Sequence, residues 1–293
     1  MILYGRPVKE RITSSLCDFF GSNNSYYIAI IVVWDDLGSK VYIRNKQKYG
    51  ESIGCRVVIN HFEQPWSTND QESINLLVST LQDTIATHNT NENCIGIIIQ
   101  LPLPHWLHPY QQQLCDCIDP RKDIDIMNSL NFPPLQDTIY PAVVEWTIAL
   151  LRYYQLDMIH DKQISIVGQS QLVGKPLAYR CRSQWAIVDC FDEQSSHEDI
   201  VSSCRSSEYI FSATGVVWLI DHSCITPSDQ PLYRKQVCID IGYGFDAQGK
   251  AVWDMVFDDM IDHVKAITPV PGGIWPLCVA SLFDNARRMR LIR

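Results

Sequence analysis

Apolar positions along this chain follow two rhythms. Short, almost unbroken runs of isoleucine, valine and similar residues alternate with longer stretches in which apolar residues recur every three or four positions. Tyr26–Val33, Cys55–Asn60 and Cys94–Gln100 belong to the first kind and read as strands. Val41–Tyr49, with a Lys/Arg-rich surface, reads as the start of a helix. Asp70–Thr87 reads as an amphipathic helix with Ile74, Leu77, Val78, Leu81 and Ile85 on one stripe. This βαβαβ order predicts a mostly parallel sheet with helices on both faces.

The rhythm lapses from Asp119 to Pro141, where prolines stand at 120, 133, 134 and 141, and a loop crossing between domains is expected there. Ala142–Tyr154 resumes a helical pattern. A second α/β series follows, with strands at Trp185–Phe191, Glu208–Ala213 and Gln236–Ile241, and the tail from Thr268 is a Pro/Gly turn and a last helix. That series opens on KQISIVGQSQLVGKPLA, Lys162 to Ala178. An apolar run ends at Gly168, a polar turn follows, and Val173-Gly174-Lys175-Pro176 starts a helix. Strand, glycine turn and helix start together bring backbone N–H groups and a positive helix end to a diphosphate. Five residues separate Gly168 from Gly174 and a proline follows Lys175, which argues against an ATPase loop and its magnesium-binding hydroxyl. A strict G-x-G-x-x-G is missing too, so on these residues alone an ordinary βα turn stays open. The expected architecture is two-domain α/β. Residues 1–140, rejoined by a C-terminal helix 274–293, form an N-terminal parallel-sheet domain; residues 141–273 form a Rossmann-like dinucleotide-binding domain, with a cleft between the two.

Composition narrows the partners. At 293 residues and 46% hydrophobic content the chain can bury one large core or two medium ones. Its formal charge of −9 disfavours nucleic acid, which calls for a basic face. No apolar stretch has the length of a membrane span, and the opening MILYGRPVKERI lacks the basic-then-apolar layout of a signal peptide, so a cytoplasmic protein without a membrane partner is expected. Eleven cysteines, scattered without a framework, read as reduced thiols. Cys115-Asp116-Cys117 and the pair His105 and His108 lack partners at ligand spacing, and no metal site is expected.

Four segments carry candidate chemistry. Gly96–Pro104, GIIIQLPLP, puts the uncharged amide of Gln100 at the end of a buried strand, where open parallel sheets bind ligands. A glutamine capping backbone where Pro102 breaks the ladder is the plainer reading. Tyr42 and Lys46 stand four apart, on one face of a helix. A solvated basic face accounts for Arg44 and Lys48 but less well for that pair, and a lysine aimed into an apolar cleft loses proton affinity and can act as an acid/base. Lys122-Asp123-Ile124-Asp125 sets two carboxylates on one side of an extended segment. Exposed loop acids are the default there, while a single Asp in a cleft can accept paired N–H donors from an aminopyrimidine-like ring. Thr268–Gly273, TPVPGG, either makes a tight corner or lays bare backbone against a flat ligand.

In this order the segments resemble one family, the bifunctional methylenetetrahydrofolate dehydrogenase/methenyltetrahydrofolate cyclohydrolases of the FolD type, over essentially the whole chain from Leu3-Tyr4-Gly5 to the last helix. Ser39, Tyr42 and Lys46 match S-x-x-Y-x-x-x-K; Gly96–Pro104 matches G-[apolar]-Q-L-P-L-P; Lys122–Asp125 matches K-D-x-D. Val167–Ser170 with Val173–Pro176 matches V-G-R-S-x-x-V-G-x-P, and Asp240–Gly242 and Pro269–Gly273 match D-V-G and P-V-P-G-G. The resemblance implies oxidation of 5,10-methylenetetrahydrofolate by NAD or NADP and hydrolysis of the methenyl product to 10-formyltetrahydrofolate. It implies Lys46 as general acid/base, Gln100 holding and tuning its amine, Tyr42 packing on the aromatic part of folate and Asp125 gripping the pterin. Pro271, Gly272, Gly273 and Trp275 would join Tyr42 and Asp125 as substrate contacts. Gly168, Gln169, Ser170, Val173, Gly174, Asp192, Gly215 and Tyr243 would hold the cofactor. The family is usually a homodimer.

The departures from the pattern are informative. The arginine after the first glycine is Gln169, and Phe191-Asp192-Glu193 stands where the family often has Cys-His-Ser. Losing a cation and gaining acids both favour a free ribose 2′-OH, hence NAD over NADP. P-C-T-P becomes Pro141-Ala142-Val143-Val144, the small residue after K-D-x-D is Ile126, and a glycine of P-V-P-G-G-x-G-P is Trp275. Trp34 is a further small-to-large change. Overfilling a tight site costs binding before fold. The alternatives to a bifunctional enzyme are therefore a cyclohydrolase alone and a non-catalytic homologue that binds a ligand or a protein.

Overall fold

The computed structural model describes residues 1–33, 37–63, 70–131, 139–242, 244–245 and 251–292, without the side chains of 37–39, 41, 42, 244, 245, 251 and 252. In chain order its elements are α1 (Arg6–Gly21), β1 (Tyr27–Val33), α2 (Leu37–Ser52), β2 (Arg56–Phe62), α3 (Gln71–Thr90), β3 (Cys94–Ile99), α4 (Gln111–Asp116), α5 (Ala142–Tyr153), β4 (Gln163–Val167) and α6 (Gly174–Arg182). There follow β5 (Ile187–Phe191), α7 (His197–Ser206), β6 (Tyr209–Ser212), β7 (Val237–Asp240), β8 (Gly244–Phe245), β9 (Ala251–Val252), α8 (Phe257–Met260), β10 (Ala266–Ile267) and α9 (Trp275–Ile292). They gather into two compact units, Glu10–Ala142 with Val279–Arg293, and Met1–Lys9 with Val143–Cys278.

The first unit holds a parallel sheet in the order β2-β1-β3. Strands β1 and β3 are buried along their whole length, as their unbroken apolar runs require. Helix α3 starts where Asp70 accepts the N–H groups of Glu72 and Ser73, and it lays Ile74, Val78, Leu81 and Ile85 against Ala29, Ile31 and Val33 of β1 and Ile97 and Ile99 of β3. Helix α1, which the apolar rhythm did not single out, buries Val8, Leu16 and Phe20.

The second unit is a five-stranded, wholly parallel sheet in the order β10-β7-β6-β4-β5. Residues 1–9 group with it because Ile2 bridges Ile267, with the Leu3 N–H bonded to Ile267 O at 2.9 Å and the Ile267 N–H to Met1 O at 3.0 Å. From β4 the chain passes through α6 to β5 on one side, then through α7 to β6 on the other. That reversal is the point at which an open parallel sheet leaves a crevice beyond its strand ends. Among the described residues no helix is long and apolar enough to cross a membrane, and no cluster of histidine, cysteine or acid side chains is arranged for a metal.

Candidate functional site

In the first unit the geometry centres on Lys46. Helix α2 buries Ile43, Lys46 and Tyr49 and exposes Arg44, Asn45, Gln47 and Lys48, so the amine lies on the helix face that turns inward. Only 8% of Lys46 is exposed, and its Nζ donates to Gln100 Oε1 at 3.0 Å. The amide of Gln100 cannot face the other way, because its Nε2 donates to Leu101 O at 2.7 Å. Its backbone N–H, bonded to Ile31 O at 2.9 Å, ties the end of β3 to β1. The plain capping role expected for Gln100 and a role toward Lys46 thus coexist in one side chain. Burial pushes the Asp125 carboxyl above the usual carboxylate range, and the Lys46 ammonium opposes that rise. The site therefore couples an amine, a carboxamide and a carboxyl. Of Tyr42 only the backbone, within α2, is described; its side chain and all of Trp34 lie outside the described residues.

Lys122–Asp125 departs from the expected geometry. Rather than setting two carboxylates on one side of an extended segment, the chain turns, and only Asp125 is left partly open. Asp123 points inward, its Oδ2 accepting the Asn128 N–H at 2.8 Å and Asn131 Nδ2 at 2.9 Å. Lys122 Nζ reaches the C-terminal end of α3 and donates to the carbonyls of His88, Asn89 and Asn91 at 3.0, 2.6 and 2.8 Å. The Ile97 N–H holds Lys122 O at 2.7 Å, and Asn285 Nδ2 of α9 holds Ile124 O at 3.0 Å. The backbone leading into Asp125 is thus fixed to β3 and to α9. Lys122 was legible as part of a motif but not as a helix cap, and Asn285 carried no local signal at all.

In the second unit the turn after β4 has the expected form. Gly168 sits at φ 100°, and an added Cβ there would collide with Ala213 O; one on Gly174 would collide with Gly168 O. Gly174 lets the start of α6 approach the end of β4, and Gly168 lets the turn after β6 close on it, which is the cradle a dinucleotide requires. Ser170 closes the turn, its hydroxyl accepting the Val173 N–H at 3.2 Å and its carbonyl the Lys175 N–H at 3.1 Å. Gln169 folds back, Nε2 donating to Gly168 O at 3.0 Å. Asp192 is exposed just past β5, with Oδ1 accepting the Gln194 N–H at 3.0 Å. Gly215, at φ 70°, lies in the turn beyond β6. Tyr243 falls outside the described residues.

Thr268–Gly273 folds as a tight corner. The Gly273 N–H bonds Pro269 O at 2.7 Å, and Gly272 O accepts the Gly5 N–H at 2.8 Å. Trp275 opens α9, and its indole N–H points to Gly242 O at 3.5 Å, the long limit of a hydrogen bond. Val143 is half-buried in the first turn of α5, and Ile126 is buried at φ 60°.

Two family models match the chain. One, described as tetrahydrofolate dehydrogenase/cyclohydrolase, catalytic domain, covers residues 3–125; the other, the NAD(P)-binding domain of the same description, covers residues 141–291. The bifunctional protein FolD 2 of Lactobacillus johnsonii is 30% identical over 282 residues, 95% of this chain and 92% of that protein. The bifunctional protein FolD of Lactobacillus acidophilus is 29% identical over 285 residues, 96% and 91% of the two chains. Among solved structures, the bifunctional FolD methylenetetrahydrofolate dehydrogenase/cyclohydrolase of Campylobacter jejuni superposes with a TM-score of 0.86 at 25% identity, over 100% of this chain and 99% of that one. A 5,10-methylenetetrahydrofolate dehydrogenase of the silkworm Bombyx mori gives 0.83 at 25% identity, over 100% and 98%.

Proposed function

The chain belongs to the tetrahydrofolate dehydrogenase/cyclohydrolase family, and we propose that it performs both reactions, oxidising 5,10-methylenetetrahydrofolate and hydrolysing the methenyl product to 10-formyltetrahydrofolate. The observation that carries this reading is the buried Lys46–Gln100 hydrogen bond with Asp125 within reach of the Lys46 charge. In hydrolysis Lys46 takes a proton from the water that adds to the methenyl carbon and returns one to the ring nitrogen as the carbon–nitrogen bond opens. Gln100 holds the amine in place. Asp125 anchors the pterin through its paired N–H donors. Tyr42, Pro271, Gly272, Gly273 and Trp275 complete the substrate contacts in this reading, residues 10–140 with the end of the last helix forming the folate half and 141–273, joined by 1–9, the nucleotide half.

The Gly168–Gly174 cradle fits a dinucleotide, with Gln169, Ser170, Val173, Asp192, Gly215 and Tyr243 as the further contacts. A bound nicotinamide would accept the hydride from the methylene bridge. We favour NAD over NADP, because Asp192 and Glu193 stand where a 2′-phosphate would need a cation and Gln169 supplies none. A cytoplasmic homodimer is proposed on the family resemblance.

Absorbance of methenyltetrahydrofolate tests the reading. It should rise when the protein meets methylenetetrahydrofolate with NAD, more slowly with NADP, and added methenyl substrate should decay faster than its spontaneous hydrolysis. Lys46→Met should slow hydrolysis by about 10²–10⁴-fold, the span of acid/base catalysis, with an unchanged circular dichroism spectrum. Undiminished hydrolysis by that variant removes Lys46 from its role, and faster turnover with NADP reverses the cofactor preference.

A further inference from the structure

Beneath the turns that follow β6 and β7 lie two carboxyl groups that neither reaction uses. Asp240 ends β7, and Asp254 precedes the bridge between Met255 and Ile220; they are 1% and 0% exposed. Asp254 Oδ2 accepts three hydrogen bonds, from Ser212 Oγ at 2.7 Å, the Thr214 N–H at 2.7 Å and Thr214 Oγ1 at 2.9 Å. Asp240 accepts the Gly242 N–H at 3.0 Å and the Met255 N–H at 2.9 Å. Asp254 therefore holds the turn after β6, while Asp240 holds both the turn after β7 and the segment that carries Asp254. Gly242 makes room for this stack, since an added Cβ would collide with the Asp254 carboxyl.

The held turn is the one that faces the cofactor cradle. The Ala213 N–H bonds Val167 O at 2.8 Å, Ala213 O closes on Gly168, and Thr214 Oγ1 accepts the Val216 N–H at 3.0 Å, so the fixed backbone runs from the end of β4 past Gly215. Two buried carboxylates side by side would repel. Burial and the neighbouring Asp254 push Asp240 up to about 8, so at neutral pH Asp240 keeps its proton. Asp254 takes all three donors on Oδ2, its Oδ1 being buried without one.

We infer that Asp254 is a positioning residue for the dehydrogenase reaction, fixing the turn 213–215 in the shape that receives the nicotinamide cofactor, with Asp240 holding it from below. The inference rests on the cofactor reading above. It is tested on the full-length enzyme with Asp254→Ala and Asp254→Asn, the second of which keeps an oxygen for Ser212 and Thr214. Asp254→Ala should raise the cofactor KM about tenfold or more while kcat at saturating cofactor falls less than about threefold, and Asp254→Asn should restore KM to within about threefold of the parent. An unchanged KM in Asp254→Ala, or a loss of kcat alone, overturns the inference. Should Asp254→Ala not fold, Ser212→Ala, which removes one of the three donors, should still raise the cofactor KM by about threefold, and no rise there overturns it equally. A parent enzyme that hydrolyses methenyl substrate but turns over neither NAD nor NADP overturns the cofactor reading itself; a parent that does, beside an unaffected Asp254→Ala, sinks only the positioning role.

Discussion

At residue 126 backbone and side chain pull in opposite directions. Ile126 sits at φ 60°, a conformation that costs a residue with a Cβ about 1–2 kcal/mol, and β-branching makes it rarer still. Yet the side chain is 6% exposed, and truncating a buried isoleucine costs about 2–5 kcal/mol once the cavity is counted. Glycine would remove the strain but add about 1 kcal/mol of backbone entropy to the cost of folding. Burial wins this comparison. Ile126→Gly should therefore destabilise the protein by about 2 kcal/mol in urea denaturation. A more stable variant would show that the strained turn beside Asp125 outweighs the packing. The same weighing explains why a large residue persists next to the pterin-binding candidate, where the resembled pattern has a small one.

Among the elements, α3 shows how one side chain ties a helix to the site. Its last carbonyls at His88, Asn89 and Asn91 all receive Lys122 Nζ, which is 4% exposed. Lys122→Met keeps the length of the chain and leaves those acceptors without their donor, so about 2–4 kcal/mol of stability should be lost, with faster amide exchange in residues 88–91. A loss below about 1 kcal/mol would mean that water replaces the ammonium without cost. None of this was legible in K-D-x-D, because a two-residue period says which side a carboxylate takes only while the strand stays extended, and here it turns. Strands β1 to β7 were legible to within a residue or two, since runs such as Ile28–Val33 and Ile95–Ile99 have no amphipathic alternative, whereas β8, β9 and β10, two residues each, are too short to show a period. Helix α1 carried its signal in Val8, Leu16 and Phe20, and α7 in the Ser196 cap that accepts the Asp199 N–H, but these were short or widely spaced enough to pass over. The Lys46–Gln100 pair was legible as residue types and motifs. That the amide oxygen rather than its nitrogen meets the amine depends on Leu101 O, and the hold of Asp254 on Ser212, across 42 residues, has no sequence pattern behind it.

Taken over the whole molecule, carboxyls displaced from the usual range set how stability answers to pH, and they divide by sign. Hydrogen bonds from Ser73 and Ser223 hold Asp70 and Asp221 below the usual range, so their contributions are present above the unfolded value and fade as pH falls through the folded one. Burial raises Asp123 to about 6 and Asp240 to about 8, which has the opposite consequence. The folded chain keeps a proton that the unfolded chain has released, so the contribution is complete below the unfolded value near 3.8 and is lost as pH rises to each folded value. Asp123 is half titrated at pH 6 and contributes equally to parent and Asp240 variant, so of these four groups only Asp240 separates the two proteins from pH 6 to 8. Asp240→Asn abolishes that proton exchange, and whatever it costs in lost N–H acceptors does not depend on pH. The parent's stability relative to the variant should therefore fall as pH rises from 6 to 8, approaching about 1.4 kcal/mol per pH unit for one full proton. Urea denaturation of both proteins at pH 6, 7 and 8 measures the slope. A difference that stays flat would mean that Asp240 is already ionised at pH 6, and that its burial beneath the turns after β6 and β7 does not hold the proton.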